Sequence, residues 1–164
     1  MAINVGDRIP ASTVNKLNGG NEPISTGDLF AHRKVVLFAV PGAFTPTCSE
    51  KHLPSYVKHI ETFAARDILV ACLAVNDAFV MRAWAISQQV PESLVMLSDG
   101  NGEFTRALGL EMDGTSFGMG IRAKRFALYA EDGVVRILHV EAPGEYRVSS
   151  AESMLQALDG NETL

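Results

Sequence analysis

Three short apolar runs alternate with helical stretches in the middle of the chain, and this alternation limits the possible folds more than any other feature. The runs are KVVLFAV at 34–40, DILVACLAV at 67–75 and SLVMLSD at 93–99. Each is continuous and too short for a helix, which is typical of strands buried on both faces. Apolar residues recur every three or four positions over 48–65, and a second helical stretch covers 78–89. This order predicts an α/β fold with parallel strands.

The last third of the chain has a different rhythm. Two runs rich in β-formers, RFALYA and VVRILHV, flank Asp132 and Gly133. An Asp-Gly pair between such runs predicts a β-hairpin. A final helix is predicted over Ala151–Leu158, with Ser149 and Glu152 at the spacing of a capping box. We therefore expect a mixed central sheet with helices on both faces, in a thioredoxin-like order, with an N-terminal extension before residue 34.

Length and charge narrow the possible functions. The 164 residues fit one domain, and no repeat or long linker divides 1–164. The net charge of −5 argues against nucleic-acid binding. No apolar stretch approaches the roughly 20 residues that cross a membrane. The N-terminus MAINVGDRIP has neither the basic start nor the apolar core of a secretory signal. These features predict a cytosolic protein without a membrane or nucleic-acid partner.

One of the two cysteines, Cys48, stands at the junction between the first apolar run and the first helix. Pro46 suits a first helical turn, and Thr47 and Glu50 have capping-box spacing, although Thr45 is an alternative cap. In either register Cys48 lies in the first turn, where unpaired N–H groups and the helix dipole favour a thiolate. Sites in open α/β sheets form at such junctions. We predict a reactive thiolate; the alternative is a small buried apolar residue.

The string PGAFTPTCSEKHLPSYV resembles the active site of peroxiredoxins, whose signature is P-x-x-x-T-x-x-C. Together with VNDAFVMRAW and KRFALYAEDG it resembles the type II, or peroxiredoxin-5, branch, and the resemblance extends from residue 3 to the last helix. It implies a thiol peroxidase that needs no metal, haem or other cofactor. The cysteine matching Cys48 would attack a hydroperoxide and become a sulfenic acid. The resemblance also implies a homodimer packed through loops near the site.

The resemblance assigns partners to Cys48. Thr45 would supply a hydroxyl to the peroxide, and Pro41 would shield the thiolate from water. A guanidinium should fix the charge; the family's arginine matches Arg125, whereas without the resemblance Arg122 would serve equally well. The predicted substrate-binding positions are Thr47, Gly42, Phe44 and Phe117. Phe44, Phe117 and Met119 are also candidates for an apolar rim or a subunit contact.

The second cysteine decides how the sulfenic acid is reduced. Cys72 lies in the middle of ILVACLAV and is predicted to be a buried structural residue; its alternative role is to resolve the sulfenic acid. Some members of the type II branch resolve it with a cysteine near the C-terminus, but GEYRVSSA has only Ser149 and Ser150 there. We therefore expect a one-cysteine cycle with an external thiol, either glutathione with glutaredoxin or thioredoxin.

Three other residues have less specific interpretations. His52, four residues after Cys48, is predicted to be a polar residue on the helix surface, because a zinc site would need about four ligands in a recognisable spacing. A Cys-His protease pairing stays open. Pro54 should kink the helix, either for packing or so that the first turns can unwind separately. Trp84 is predicted to pack in the core.

Two other functions remain compatible with the sequence. A redox-sensing or chaperone-like protein of the same fold would use oxidation of Cys48 as a signal, with little sustained turnover. A thiol–disulfide oxidoreductase is disfavoured because no C-x-x-C pair stands at the helix start.

Overall fold

The computed structural model describes residues 2–17 and 21–162. In chain order its elements are β1 (Thr13–Lys16), β2 (Glu22–Ser25), α1 (Thr26–Phe30), β3 (Lys34–Ala39), a π-helical turn (Cys48–His52), α2 (Leu53–Lys58), α3 (Ile60–Ala65), β4 (Ile68–Ala74), α4 (Ala78–Ser87), β5 (Leu94–Ser98), α5 (Glu103–Leu108), β6 (Glu111–Asp113), a 3-10 turn (Thr115–Phe117), β7 (Ile121–Ala123), β8 (Phe126–Glu131), β9 (Val134–Val140) and α6 (Ala151–Glu162). None of these helices is long and apolar enough to cross a membrane.

The three apolar runs form the centre of a seven-stranded sheet with the order β2-β1-β5-β4-β3-β8-β9. β3, β4 and β5 are parallel, whereas β8 runs antiparallel to β3 and β1 antiparallel to β5. β6 and β7 form a separate two-stranded ribbon. The predicted mixed sheet is therefore confirmed. The N-terminal extension contributes β1 and β2 to the sheet beyond β5, and the ribbon of β6 and β7 flanks residues 114–120; neither pair of strands was predicted from the sequence.

Both faces of the central strands are buried. Along β3, Val36 and Phe38 point into one core and Val35 and Leu37 into the other, and all four are fully inaccessible to solvent. The first core contains side chains of α2, α3, α4 and α6; the second contains those of α1 and α5. This explains the continuous apolar runs and confirms helices on both faces. Cys48 belongs to the first core.

The hairpin is formed where Asp-Gly predicts it. Asp132 and Gly133 connect β8 to β9 with φ angles of 47° and 79°. Two positive φ angles in succession match the right-handed twist of the flanking strands. The predicted cap of α6 is wrong by one residue: the Ser150 hydroxyl accepts the N–H of Ser153 at 3.1 Å, whereas the Ser149 hydroxyl donates to Glu141.

The predicted helix over 48–65 is broken into three pieces. A π-helical turn precedes α2, and His59 separates α2 from α3 with φ −105° and ψ 11°. Pro54, near the start of α2, has no N–H to donate to the carbonyl of Glu50, and its ring crowds that carbonyl. A regular α-helical ladder cannot continue through this point, and the backbone widens into the π turn instead.

Candidate active site

The helical turn that carries Cys48 begins at Pro46. The N–H of Ser49 donates to the carbonyl of Thr45 at 3.0 Å, so Thr45 precedes the first helical residue. The predicted capping box of Thr47 and Glu50 is wrong, because Thr47 is already helical and makes no side-chain cap bond. The Thr45 hydroxyl instead donates to the carbonyl of Gly42 at 2.7 Å and folds the preceding loop. Cys48 is the third residue of the turn, in the region that favours a thiolate.

Arg125, directly before β8, reaches the sulfur of Cys48. Its Nη2 donates to Sγ at 3.1 Å, and Cys48 is completely buried. Arg122 lies elsewhere: its Nη1 donates to the carbonyl of Pro41 at 3.3 Å and its Nε to the carbonyl of Met119 at 2.9 Å. The structure thus separates the two arginines that the sequence left as alternatives. Arg125 contacts the sulfur, and Arg122 holds the loop that precedes it.

The loop from Pro41 to Thr45 is fixed from two sides. Asn76, just after β4, accepts the N–H of Ala43 through Oδ1 at 2.9 Å. Gly42 is buried where a side chain does not fit, since an added Cβ would lie 2.9 Å from Nη1 of Arg122 and 3.2 Å from Cγ2 of Thr45. The loop therefore has little freedom to move relative to Cys48.

The predicted apolar rim is exposed. Phe44 has a left-handed backbone (φ 65°) and is 56% exposed, and Phe117, on the 3-10 turn, is 78% exposed. Met119 is half-buried and lies against Gly42, where its Cε is 3.5 Å from the position of an added Cβ. Thr47 is half-buried in the first turn. The two phenylalanines present apolar surface to solvent.

His52 is completely buried, so the prediction that it lies on the helix surface is wrong. Its Nδ1 lies 2.9 Å from Nη1 of Arg125, and its Nε2 lies 3.0 Å from the carbonyl oxygen of Ser149. Burial and the neighbouring Arg125 charge lower the pKa of His52 to about 3, so the ring is neutral at physiological pH. The spacing of four residues from Cys48 was the only signal for this position in the sequence.

Glu141 is a second site residue that the sequence analysis missed. Its carboxylate accepts the N–H groups of Arg147, Val148 and Ser149 at 2.8 Å and the Ser149 hydroxyl at 2.6 Å. Burial raises the pKa of Glu141, but these hydrogen bonds outweigh it and leave the pKa below its ordinary value. The carboxylate therefore fixes the segment whose carbonyl meets His52.

Cys72 lies in β4 and is fully buried, in register with Phe38 of β3. Burial raises the pKa of the Cys72 thiol well above its usual range, and the proximity of Cys48 raises it further. Both thiols are free. Trp84 is also fully buried, and its indole N–H donates to the hydroxyl of Ser49 at 2.9 Å. Within residues 2–17 and 21–162, no three His, Cys, Asp or Glu side chains are grouped to hold a metal ion.

Comparison with known proteins decides the family. The family model described as Redoxin matches residues 4–155. Peroxiredoxin-2E of Arabidopsis thaliana is 46% identical over 163 residues, which cover 96% of this chain and 70% of the relative. The chain belongs to the peroxiredoxin family. Peroxiredoxin-2E-2 of Oryza sativa subsp. japonica is 48% identical, over 95% of this chain and 72% of the relative.

The fold of the chain is similar to that of a solved peroxiredoxin structure over nearly the whole length of both. Reduced Prx3 of Vibrio vulnificus in complex with hydrogen peroxide superposes with a TM-score of 0.90 at 49% identity, over 95% of this chain and 99% of that one. The thioredoxin-like fold is confirmed. The chain is a thiol-dependent peroxidase, since peroxiredoxins act on hydroperoxides with thiol reductants.

The predicted cytosolic location is contradicted by the same relatives. Both Peroxiredoxin-2E of Arabidopsis thaliana and Peroxiredoxin-2E-2 of Oryza sativa are named as chloroplastic proteins. The prediction relied on the absence of a secretory signal and of a membrane-spanning stretch, and such absences do not determine a compartment.

Proposed function

We propose that this peroxiredoxin is of type II and that Cys48 reduces hydrogen peroxide and organic hydroperoxides. The observation that carries the proposal is the hydrogen bond of 3.1 Å from Arg125 Nη2 to Sγ of Cys48. A guanidinium is always charged and donates only, so it favours a thiolate at this position. The type II assignment is supported by the longer match around Cys48 and by the matches VNDAFVMRAW at 75–84 and KRFALYAEDG at 124–133.

The reaction follows from the groups around the sulfur. The thiolate attacks one peroxide oxygen; an S–O bond forms, the O–O bond breaks, and the departing hydroxide or alkoxide takes up a proton. Arg125 stabilises the charge as it passes from sulfur to oxygen. The Thr45 hydroxyl and the unpaired N–H groups of the first helical turn, at Thr47 and Cys48, hold the peroxide. Pro41 and Gly42 shape the loop that keeps water out.

A one-cysteine cycle fits the surroundings of Cys48 best. The segment that carries Ser149 and Ser150 offers no thiol, and Cys72 is buried in the central strand β4, between β3 and β5. An external thiol would attack the sulfenic acid and release water, and a second thiol would resolve the mixed disulfide. Because Cys48 is itself buried, its turn must open first, and the interrupted ladder at Pro54 permits this without unwinding α2. The external thiol would be glutathione with glutaredoxin, or thioredoxin.

We also propose that this single-domain chain forms a homodimer. Residues 1–164 would form one domain, and two copies would pack through the loops that carry Phe44 and Phe117. The exposure of both rings supports this, because Phe is enriched in interface cores. The rings would then also line the path of the substrate.

Peroxide consumption measured with thioredoxin, glutathione, and glutathione plus glutaredoxin tests the cycle. Wild type should turn over continuously with at least one of them, and Cys48→Ser should be inactive. Cys72→Ser and Cys72→Ala should keep full activity with the preferred reductant. Two variants are needed because serine leaves a buried hydroxyl, whereas alanine leaves none. Loss of activity in both would place Cys72 in the cycle, and stoichiometric oxidation without turnover would favour a redox sensor.

A further inference from the structure

We propose that His52 is a positioning residue that holds the Arg125 guanidinium against Cys48. Arg125 makes two side-chain hydrogen bonds from its two terminal nitrogens: Nη2 donates to Sγ of Cys48 at 3.1 Å and Nη1 to Nδ1 of His52 at 2.9 Å. A planar guanidinium whose two ends are both held has one orientation. This role rests on the proposed function of Cys48 and Arg125.

The chemistry of the contact defines the state of the imidazole. A guanidinium has donors only, so Nδ1 of His52 must be the acceptor and its proton must lie on Nε2. The Nε2–H then donates to the carbonyl of Ser149 at 3.0 Å. A protonated imidazole would place two cationic donors against each other, and the low pKa of His52, about 3, keeps the ring neutral. The ring is therefore a fixed acceptor at any pH at which the enzyme works.

The ring cannot turn away from Arg125. It lies between the rings of Phe38, Tyr56 and Tyr146, at centroid distances of 5.0, 5.7 and 5.3 Å. The carbonyl of Ser149 that receives its proton also accepts the Tyr56 hydroxyl at 2.8 Å.

The support continues beyond the ring. The Glu141 carboxylate fixes the backbone around Ser149, and the N–H of Glu141 donates to the carbonyl of Arg125 at 2.9 Å. The hydrogen bonds therefore form a closed ring that runs from Arg125 through His52, Ser149 and Glu141 back to Arg125. The ionisable groups facing the ring are Arg125, Tyr56, Tyr146 and, through Ser149, Glu141.

Three substitutions separate positioning from packing. His52→Phe keeps an aromatic ring but removes both nitrogens. In His52→Asn the amide oxygen takes the place of Nδ1, so an acceptor for Arg125 remains. In His52→Gln the amide reaches the place of Nε2 and meets Ser149, but no acceptor faces Arg125. The matched control is His59→Phe, because His59 pairs with Glu152 of α6, outside this network. The measurements are the rate constant of wild type and variants with hydrogen peroxide, its pH dependence, and the melting temperature.

The rate constant of His52→Phe should fall by about 10- to 100-fold, the scale of a displaced catalytic group. The pH at which the rate is half-maximal should rise. His52→Asn should keep most of the wild-type rate constant, and His52→Gln should keep little of it. If His52→Phe does not fold, this comparison alone tests whether His52 positions Arg125. A lower melting temperature with an unchanged rate and pH profile in His52→Phe, or equal rates in the Asn and Gln variants, would overturn the inference. Activity surviving in Cys48→Ser would instead refute the proposed function.

Discussion

Replacing Arg125 with lysine keeps the charge at the site but removes the two-ended contact. The guanidinium bonds Cys48 and His52 at the same time, at 3.1 and 2.9 Å, and a single ammonium cannot reach both positions. The loss of one hydrogen bond to a charged group corresponds to about 1.5–3 kcal/mol. At 1.36 kcal/mol for each factor of ten in rate, the rate constant with hydrogen peroxide should fall by roughly 10- to 150-fold.

The structure provides an optical signal for this measurement. Trp84 is the only tryptophan, and its indole donates to the hydroxyl of Ser49, the residue that follows Cys48. Oxidation of Cys48 should therefore change Trp84 fluorescence, and stopped-flow mixing with hydrogen peroxide gives the rate constant directly. The comparison variant is Arg122→Lys, which alters contacts to the carbonyls of Pro41 and Met119, at 3.3 and 2.9 Å, and none to the sulfur.

Arg122→Lys should lose no more than about threefold in rate, because neither of the carbonyls that Arg122 contacts is a reacting group and Arg122 makes no bond to the sulfur of Cys48. A rate constant for Arg125→Lys within threefold of wild type would refute the reasoning about the two-ended contact. So would equal losses in the two lysine variants, because the effect would then not depend on contact with the sulfur.

Three further perturbations test the surroundings of the site. Because the pKa of Glu141 is lower in the fold than in the unfolded chain, its stabilisation is complete above the unfolded value of about 4.3 and is lost as the pH falls through the folded pKa. The melting temperature of Glu141→Gln should thus lie below that of wild type at pH 7 and converge with it in acid; a constant difference would contradict this. Gly42→Ala places a Cβ 3.2 Å from Cγ2 of Thr45 and should lower the peroxide rate up to about tenfold, with a wild-type rate as the contrary result. Asn76→Ala leaves the N–H of Ala43 without its acceptor and should lower the free energy of unfolding by about 1–3 kcal/mol, measured by urea denaturation; an unchanged midpoint would show that the loop does not depend on this bond.

The central part of the fold was predictable because its strands are buried on both faces. β3, β4 and β5 have continuous apolar sequences for that reason, and Asp132 and Gly133, with two positive φ angles, suit the tight hairpin between β8 and β9. The strands β1 and β2 gave no such signal, since Val14 is their one buried side chain and the others are exposed or only partly covered. Local patterns identify strands that are buried throughout, and the strand β9 that follows an explicit hairpin turn, but they miss short strands that are largely exposed, such as β1 and β2.

The candidate site was predictable only where the signature or the family resemblance contains it. Cys48 and Thr45 follow from the signature, and Arg125 follows from the resemblance, because no local rule separates it from Arg122. His52 was misassigned because its two partners, Arg125 and Ser149, lie 73 and 97 positions away in the chain. Ser149 was misassigned as a helix cap because its hydroxyl donates to the carboxylate of Glu141 instead.

The burial of Cys48 links these long-range contacts to the catalytic cycle. In the reduced state the turn is closed by bonds from Arg125 to Cys48 and His52, by the bond from His52 to Ser149, and by Trp84 on Ser49. A thiol such as glutathione is much larger than a peroxide and does not reach the buried Cys48, so in the proposed cycle the sulfenic acid must break the first of these bonds before it is reduced. Oxidation itself weakens that bond, because a neutral sulfenic acid attracts a guanidinium less than a thiolate does. In the proposed cycle, the contact that would activate Cys48 toward peroxide can therefore also release the turn once the peroxide has reacted.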